Sequence, residues 1–298
     1  MSRIKKTLHI PIAFIFLTIG IVSCERNNEP SLPKFMMTFT TTKSVGETIV
    51  LGIDAEKEDQ ADVWIDLNNN GTRDGNENTL FLSTDFSSAL YVVKDKKITI
   101  HGKVNCFYCG TNKIVSIDLS KNPYLVEFYC EDNQLENLDV SNNAQLKVLN
   151  CNMNYILTLD VSKNHQLTTL VCGKNKLSAL NLGQVPIGKL LCDDNQLQSL
   201  DISKNIELRE LKCQSNKIKT LDFSQNPALE FVVCCNNLIN ASALTTIMKS
   251  LPQRLSTKKG DVFVYMAPDL NAVPNISDIV IANGKNWVIY ANNNVMQP

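Results

Sequence analysis

Leu146-Lys147-Val148-Leu149-Asn150-Cys151-Asn152-Met153-Asn154-Tyr155-Ile156-Leu157-Thr158-Leu159-Asp160-Val161-Ser162-Lys163-Asn164 decides the architecture, because the same arrangement returns on both sides of it. Cysteine marks the period. Cys109, Cys130, Cys151 and Cys172 follow one another every 21 residues, Cys192 comes after 20, and Cys213 and Cys234 resume at 21. Aligned on that position the repeat reads L-x-x-L-x-C-x-x-N-x-L-x-x-L-D-Φ-S-x-N, with Φ apolar. A period of this length belongs to stacked supersecondary units.

In each copy the Leu and Cys two residues apart share one face of a short strand and their neighbours share the other. No copy can bury its own apolar face, so the copies must stack, with their strands forming a parallel sheet at about 4.8 Å spacing. Asn112, Asn133, Asn154, Asn175, Asn195, Asn216 and Asn237 recur where the chain leaves the strand. There their amides can bond turn backbone of neighbouring copies that would otherwise be unpaired. The pattern over about 98–240 resembles the leucine-rich repeat family, and specifically its 21-residue bacterial Irreko class, in which Cys replaces the third leucine. The half-repeat L-x-x-L-D-Φ-S-x-N echoes the first half, so extended segments are expected opposite the main sheet as well. Asn181-Leu182-Gly183-Gln184-Val185-Pro186 breaks the pattern and is one residue short, which predicts a local irregularity.

The aligned thiols do not suggest a metal centre, since zinc sites gather pairs of Cys or His and Cys106-x-x-Cys109 stands alone. In-register neighbours on parallel strands also hold their Cβ atoms at about 4.8 Å, whereas a disulfide wants about 3.8 Å. The column is therefore expected as free thiols filling the core, with Cys106 and Cys235 on the outside.

Before the repeats, residues 35–97 read as a small antiparallel β domain covering the N-terminal end of the stack. Glu47–Ile53, Val63-Trp64-Ile65-Asp66, Thr79-Leu80-Phe81-Leu82 and Ala89–Val93 are its strand-forming stretches. Within it, Asp66-Leu67-Asn68-Asn69-Asn70-Gly71-Thr72-Arg73-Asp74-Gly75-Asn76-Glu77 satisfies the calcium-loop pattern D-x-[DN]-x-[DN]-G-x5-E. Calcium takes six to eight hard oxygens. Asp66, Asn68, Asn70, the Thr72 carbonyl, Asp74 and Glu77 are the expected ligands of a structural ion, while Gly71 permits the turn. The segment before the loop reads as a strand, so the loop resembles those of bacterial surface proteins more than a helix-loop-helix sensor.

After Asn240, Leu244, Ile247, Met248 and Leu251 recur at helical spacing with Pro252 beyond. Val262–Met266 and Trp287–Tyr290 read as strands with a helical turn between them, making 241–298 an irregular α/β C-terminal cap. The fold class is thus β-rich α+β, a leucine-rich-repeat solenoid closed by a cap at each end.

Residues 1–23 carry Arg3, Lys5 and Lys6 and then an apolar stretch from Leu8 to Val22. That stretch is shorter than the roughly 20 residues of a membrane span, as befits a secretory leader. Ile21-Val22-Ser23-Cys24 resembles the bacterial lipobox, which implies acylation of Cys24. Residues 24–34, with Pro30 and Pro33, read as a tether. The resemblance places the protein in the cell envelope, anchored by lipid at the outer membrane or cell surface of a Gram-negative bacterium.

With 29 basic and 30 acidic side chains and a net charge of −1, the chain has no basic stripe and no pull toward nucleic acid. It carries only 3 His, none paired with a nucleophile in a motif, so no enzyme is expected. The residues flanking the inward Leu and Cys form an outward face. Tyr108, Tyr129, Asn150, Val171, Leu191, Lys212 and Val233 make one row, with Cys106, Glu127, Val148, Thr169, Lys189, Glu210 and Phe231 beside it. Leucine-rich repeats generally bind proteins on this face, and the apolar content of the row suits a protein partner. A glycan is the other partner class left open, and a passive envelope spacer is the alternative function.

Overall fold

The computed structural model describes residues 35–75, 77, 88–267, 270–292 and 294–297. The expected leader, Cys24, the tether and the strand at 79–82 lie outside them.

The first strands are Met36–Thr41 (β1), Thr48–Asp54 (β2), Trp64–Asp66 (β3), Ala89–Val92 (β4) and Lys97–His101 (β5). Period-2 alternation turns Met37 and Phe39 of β1, and Ile49, Leu51 and Ile53 of β2, into the core. β1 pairs antiparallel with β5, which pairs antiparallel with β3. Because β5 spans 97/98, the sheet runs unbroken through the place where composition changes from cap to repeat. β2 diverges from its neighbours and lies antiparallel against the first repeat strand.

The repeats supply Cys106–Tyr108 (β6), Ile114–Lys121 (β7), Glu127–Tyr129 (β8), Val148–Asn150 (β9), Thr158–Asp160 (β10), Thr169–Val171 (β11), Ala179–Asn181 (β12), Lys189–Leu191 (β13), Glu210–Lys212 (β14) and Phe231–Val233 (β15). One three-residue strand per coil runs parallel and in register with the next: Phe107 faces Phe128, then Leu149, Leu170, Leu190, Leu211 and Val232. The C-terminal part adds Ala241–Ser250 (α1), Gly260–Tyr265 (β16), Ile276–Gly284 (α2), Trp287–Ala291 (β17) and Asn294–Val295 (β18). β16 and β17 extend the same parallel sheet. The result is a sheet of 12 strands in the order β4-β2-β6-β8-β9-β11-β13-β14-β15-β16-β17-β18. This is a leucine-rich-repeat solenoid with a cap at either end.

Asparagine holds the strand side together. The Asn154 side chain donates from Nδ2 to the carbonyls of Cys130 and Cys151, and its Oδ1 accepts from the Leu135 N–H of the coil before. Asn133, Asn175, Asn195, Asn216 and Asn237 do the same in their coils. At the N-terminal end Asn112 bonds both the N–H and the carbonyl of Val50, so an antiparallel cap strand takes the place of a missing coil. At the far end Asn271 accepts from Asn237 and Ile239 and donates to Cys234 and Val264. It is a further rung that the fixed period hides.

The side opposite the sheet is less regular than the echo in the repeat suggests. β7 pairs with β1, and β10 with β12, but the other equivalents form no strand. Asp118, Asp139, Asp160, Asp201 and Asp222 each accept on Oδ1 from the serine N–H two residues on, in the copies that form strands as in those that do not, so this bond does not decide which copies pair. The short coil is irregular as expected. Gly183 sits at φ 60° against Ser162, where a Cβ would come within 2.7 Å of that side chain.

α1 is capped by Asn240, whose side chain accepts from the Ala243 N–H, and buries Leu244, Ile247 and Met248. α2 starts in a capping box between Asn275 and Asp278. No helix among the described residues is long and apolar enough to cross a membrane.

Candidate functional site

The outward face of the sheet brings the two expected rows together. Tyr108, Tyr129, Asn150, Val171, Leu191, Lys212 and Val233 stand in adjacent strands at one register, beside Cys106, Glu127, Val148, Thr169, Lys189, Glu210 and Phe231. All are half-buried, open to solvent above and packed against neighbours at their base. The row does not stop at the last repeat. Val233 pairs with Phe263 and Phe263 with Tyr290, so two aromatic side chains of the C-terminal cap continue it. Those two rings stack at 4.2 Å with planes 8° apart, and Phe231 lies 5.6 Å from Phe263. Sequence reasoning placed both strands but not their register. The signal available was alternation, which sets Phe263 opposite Val262 and Val264, and Tyr290 opposite Ile289.

Charge on this face is paired within the chain. Tyr129 Oη donates to Glu127 Oε2 at 2.8 Å. Glu210 meets Lys189 at 2.9 Å and Lys212 at 3.8 Å, and Glu230 takes both Arg209 and Arg254 at 3.2 Å. Two carboxylates just past the strands differ. Burial holds Glu131 and Asp193 above the usual carboxylate range, and Glu131 Oε2 is buried with no hydrogen-bond partner. The face can therefore offer a ridge of rings and aliphatic groups bordered by polar side chains.

The thiol column is in the core as read from sequence. Cys109, Cys130, Cys151, Cys172, Cys192 and Cys213 are fully buried free thiols, and Cys234 is buried in the same file. Burial pushes Cys109, Cys130, Cys151, Cys172, Cys192 and Cys213 upward, Cys151 to about 12. Cys106 is half-buried and is also pushed up to about 12 by burial. Cys235, expected on the outside, is buried. It lies two residues past the end of β15 and leads into Asn236 at φ 52°, so the chain is already turning and strand alternation no longer sets its direction.

Of the expected calcium ligands, Asp66 and Glu77 are buried and Asn68, Asn70, Thr72 and Asp74 lie toward solvent. Asp66 accepts from the N–H groups of Asn70 and Gly71. Asn68 Nδ2 and Asn70 Nδ2 both point at Asp74 Oδ2, at 2.8 and 3.4 Å. Glu77 spends its oxygens on the N–H groups of Leu67 and Asp74. Among the described residues no three acidic, His or Cys side chains are gathered as a metal cluster. The donor chemistry nevertheless fits a hard cation. Two amide groups supply the positive end at Asp74, and an amide turned end for end presents oxygen instead. Asp66, Asn68, Asn70 and Glu77 all have oxygens engaged with groups of the loop at present.

One buried group beside this loop was not singled out in the sequence. His101 stacks on Trp64 at 4.0 Å, and its Nε2 lies 3.9 Å from Asp66 Oδ2, too far for a hydrogen bond. Burial lowers its pKa against the pull of Asp66.

No family model matches the chain, and no curated protein does. Solved structures of proteins from Listeria monocytogenes are similar in fold. The functional domain of InlJ, described as including a cysteine ladder, is 20% identical, with 68% of this chain and 56% of that one covered and a TM-score of 0.37. The internalin inlF is 18% identical, with 63% and 61% covered and a TM-score of 0.45. The internalin C2 is 15% identical, with 63% and 80% covered and a TM-score of 0.43. This chain thus spans less than two thirds of the length of the first two.

Proposed function

We propose that the chain is a membrane-anchored, surface-exposed recognition module that binds a protein partner across the outer face of its parallel sheet. The observation that carries this reading is the row Tyr108, Tyr129, Val171, Leu191, Val233, Phe263 and Tyr290, which stays at one register over strands from both repeats and cap. Rings and aliphatic groups at the centre with charged pairs at the border are the anatomy of a protein-binding patch. Cys24, acylated, would tether the module to the membrane through residues 25–34. More than one acyl chain at Cys24, on a short linker, would keep the folded unit near the surface without inserting it, since a single chain binds only reversibly.

Calcium in the loop Asp66–Glu77 is the second part of the proposal. Asp66, Asn68, Asn70, Asp74 and Glu77 would hold it with the Thr72 carbonyl, locking β3 to the cap rather than acting on a substrate.

The test of the face is affinity capture from living cells with the tagged full chain, set against Tyr129→Glu, Val171→Glu and Leu191→Glu combined. Loss of the captured protein with unchanged folding supports the assignment. Retention of every captured partner refutes it. For the loop, titrating calcium into chelator-treated protein should give a heat that Glu77→Gln abolishes, and a flat titration of the unaltered chain ends that part of the proposal.

A further inference from the structure

The wall of the solenoid that follows the strands carries one coil unlike the rest. After β9, Met153, Tyr155 and Leu157 are 42%, 45% and 50% exposed and alternate with buried Asn154 and Ile156, so they form an outward ridge. At the same three positions every other coil carries at most one large apolar residue. Apolar side chains exposed singly are ordinary, whereas a contiguous set marks a contact surface.

The coils on either side bear on what meets the ridge. Backbone bonds from the Tyr155 N–H to the Leu135 carbonyl, and from the Lys176 N–H to the Ile156 carbonyl, set the three coils in register. Asp132 and Glu136 thus border the ridge on one side, and Lys174 and Lys176 on the other. Lys176 Nζ lies over the Tyr155 ring, 4.6 Å from its centroid. Asp132, Glu136 and Lys174 are exposed and enter no salt bridge among the described residues. They cannot reach one another, because two coil spacings, about 10 Å, part the acids from the lysines. One coil further out the signs reverse, with Lys113 beyond the acids and Asp194 beyond the lysines. Charge along this wall is therefore antisymmetric about the ridge.

A surface of that kind is complementary to itself turned round. We propose that two copies of this chain pair along this wall about a twofold axis lying on the ridge Met153-Tyr155-Leu157, with their stacks antiparallel. The rotation sets each ridge residue against its own copy, and Asp132 of each chain against Lys174 of the other. Lys113 and Asp194 meet in the same way. A twofold axis running along the stack would instead put acid on acid and lysine on lysine, so charge selects the antiparallel arrangement. A partner charged with one sign would match one border of the ridge and be repelled by the other. Five coils take part, about 20 Å of stack, which places the contact at the small end for a dimer and its affinity in the micromolar range or weaker.

The experiment is sedimentation velocity on the full chain in detergent at low salt over about 10–500 μM, the range in which such association shows. The unaltered chain should move toward twice the monomer mass with concentration. Asp132→Lys and Lys174→Asp, each made alone, should weaken association roughly tenfold, because each places like charges across the axis twice. Mixing the two variants should restore the dimer, since one chain is then basic at both positions and the other acidic at both. The two residues already occupy equivalent left-handed turn positions, at φ 54° and 49°, so the exchange adds no backbone strain, and an unchanged thermal midpoint verifies the fold. A monomer throughout, a dimer indifferent to both substitutions, or a mixture no more associated than its components overturns the proposal. The sheet-face reading is untouched by any of these results, since none of its residues is altered.

Discussion

Asn154 and Asn164 lie in one coil, both buried, and the solenoid uses them unequally. On the strand side Asn154 is saturated: Nδ2 reaches two cysteine carbonyls and Oδ1 takes the Leu135 N–H. On the opposite side Asn164 Nδ2 donates to the Val140 and Asn143 carbonyls at 2.9 Å each, but its Oδ1 is buried without a partner. Asn122, Asn143, Asn205 and Asn226 share that orphaned oxygen. The strand-side asparagines thus satisfy both donors and acceptors of the backbone, whereas the others satisfy acceptors only. A sequence column of constant residue type is not a column of constant energy.

Asn154→Leu should show the largest effect. It strands the Leu135 N–H in a dry interior, while the Cys130 and Cys151 carbonyls keep a donor each from Asn133 and Asn175, a loss of about 2–3 kcal/mol for the unsatisfied group and the lost donations together. A shift of that size in the urea midpoint, at unchanged slope, is the expected outcome. Asn143→Leu, on the other side, should cost about 1 kcal/mol, because losing two donations is offset by removing an oxygen that had no partner. Equal losses at the two sites would break the comparison.

The thiol column sharpens it, since it too belongs to the strand side. An unfolded thiol ionises near pH 8.5 and a sealed one does not. Cys151, held at about 12, therefore contributes stability that is complete below the unfolded value and drains away as pH rises from about 9 toward 12. Each such thiol gives a slope of about 1.4 kcal/mol per pH unit in that window, and several act together. The chain should unfold sharply in mild alkali, with Cys151→Ala displacing the transition upward. Thiol reagents at neutral pH should find the native column silent.

Much of the strand side was legible because Cys and Asn recur at one interval and a strand needs only alternate residues to face inward. What was illegible depended on inserted length or on distant pairing. Asn271 is a rung, yet it follows Val264 by seven residues where Asn154 follows Cys151 by three, so no period points to it. β2 reads as a cap strand, and nothing local says that Asn112 will bind Val50 and draw it into the main sheet. Phe263 and Tyr290 joined the binding row only once register was known. Cys235 was misplaced because alternation was carried two residues past the strand. Of the calcium loop the residue types were readable, but the present bonds of Glu77 to Leu67 and Asp74 were not.

The smallest expected effect lies on the outer rim of the irregular side. The Ser120, Ser162 and Ser203 hydroxyls and N–H groups hold Asp118, Asp160 and Asp201 below the usual carboxylate range, and the Ser141 N–H leads for Asp139. A depressed carboxylate stabilises above its unfolded pKa and loses that contribution as pH falls through the folded value. These groups are largely exposed, so solvent screening keeps each contribution small. The chain contains its own control: in the short coil Asn181 replaces the aspartate, and its Oδ1 still accepts from the Gly183 N–H at 3.3 Å. The turn thus needs an acceptor rather than a charge. Asp139→Asn should change stability at neutral pH by less than about 0.5 kcal/mol and flatten the acid limb, while Asp139→Ala, which removes the acceptor, should cost about 1 kcal/mol. If Asn proved as costly as Ala in thermal unfolding, the carboxylate charge and not the turn would be holding this side, and the rim would rank with the strand-side column.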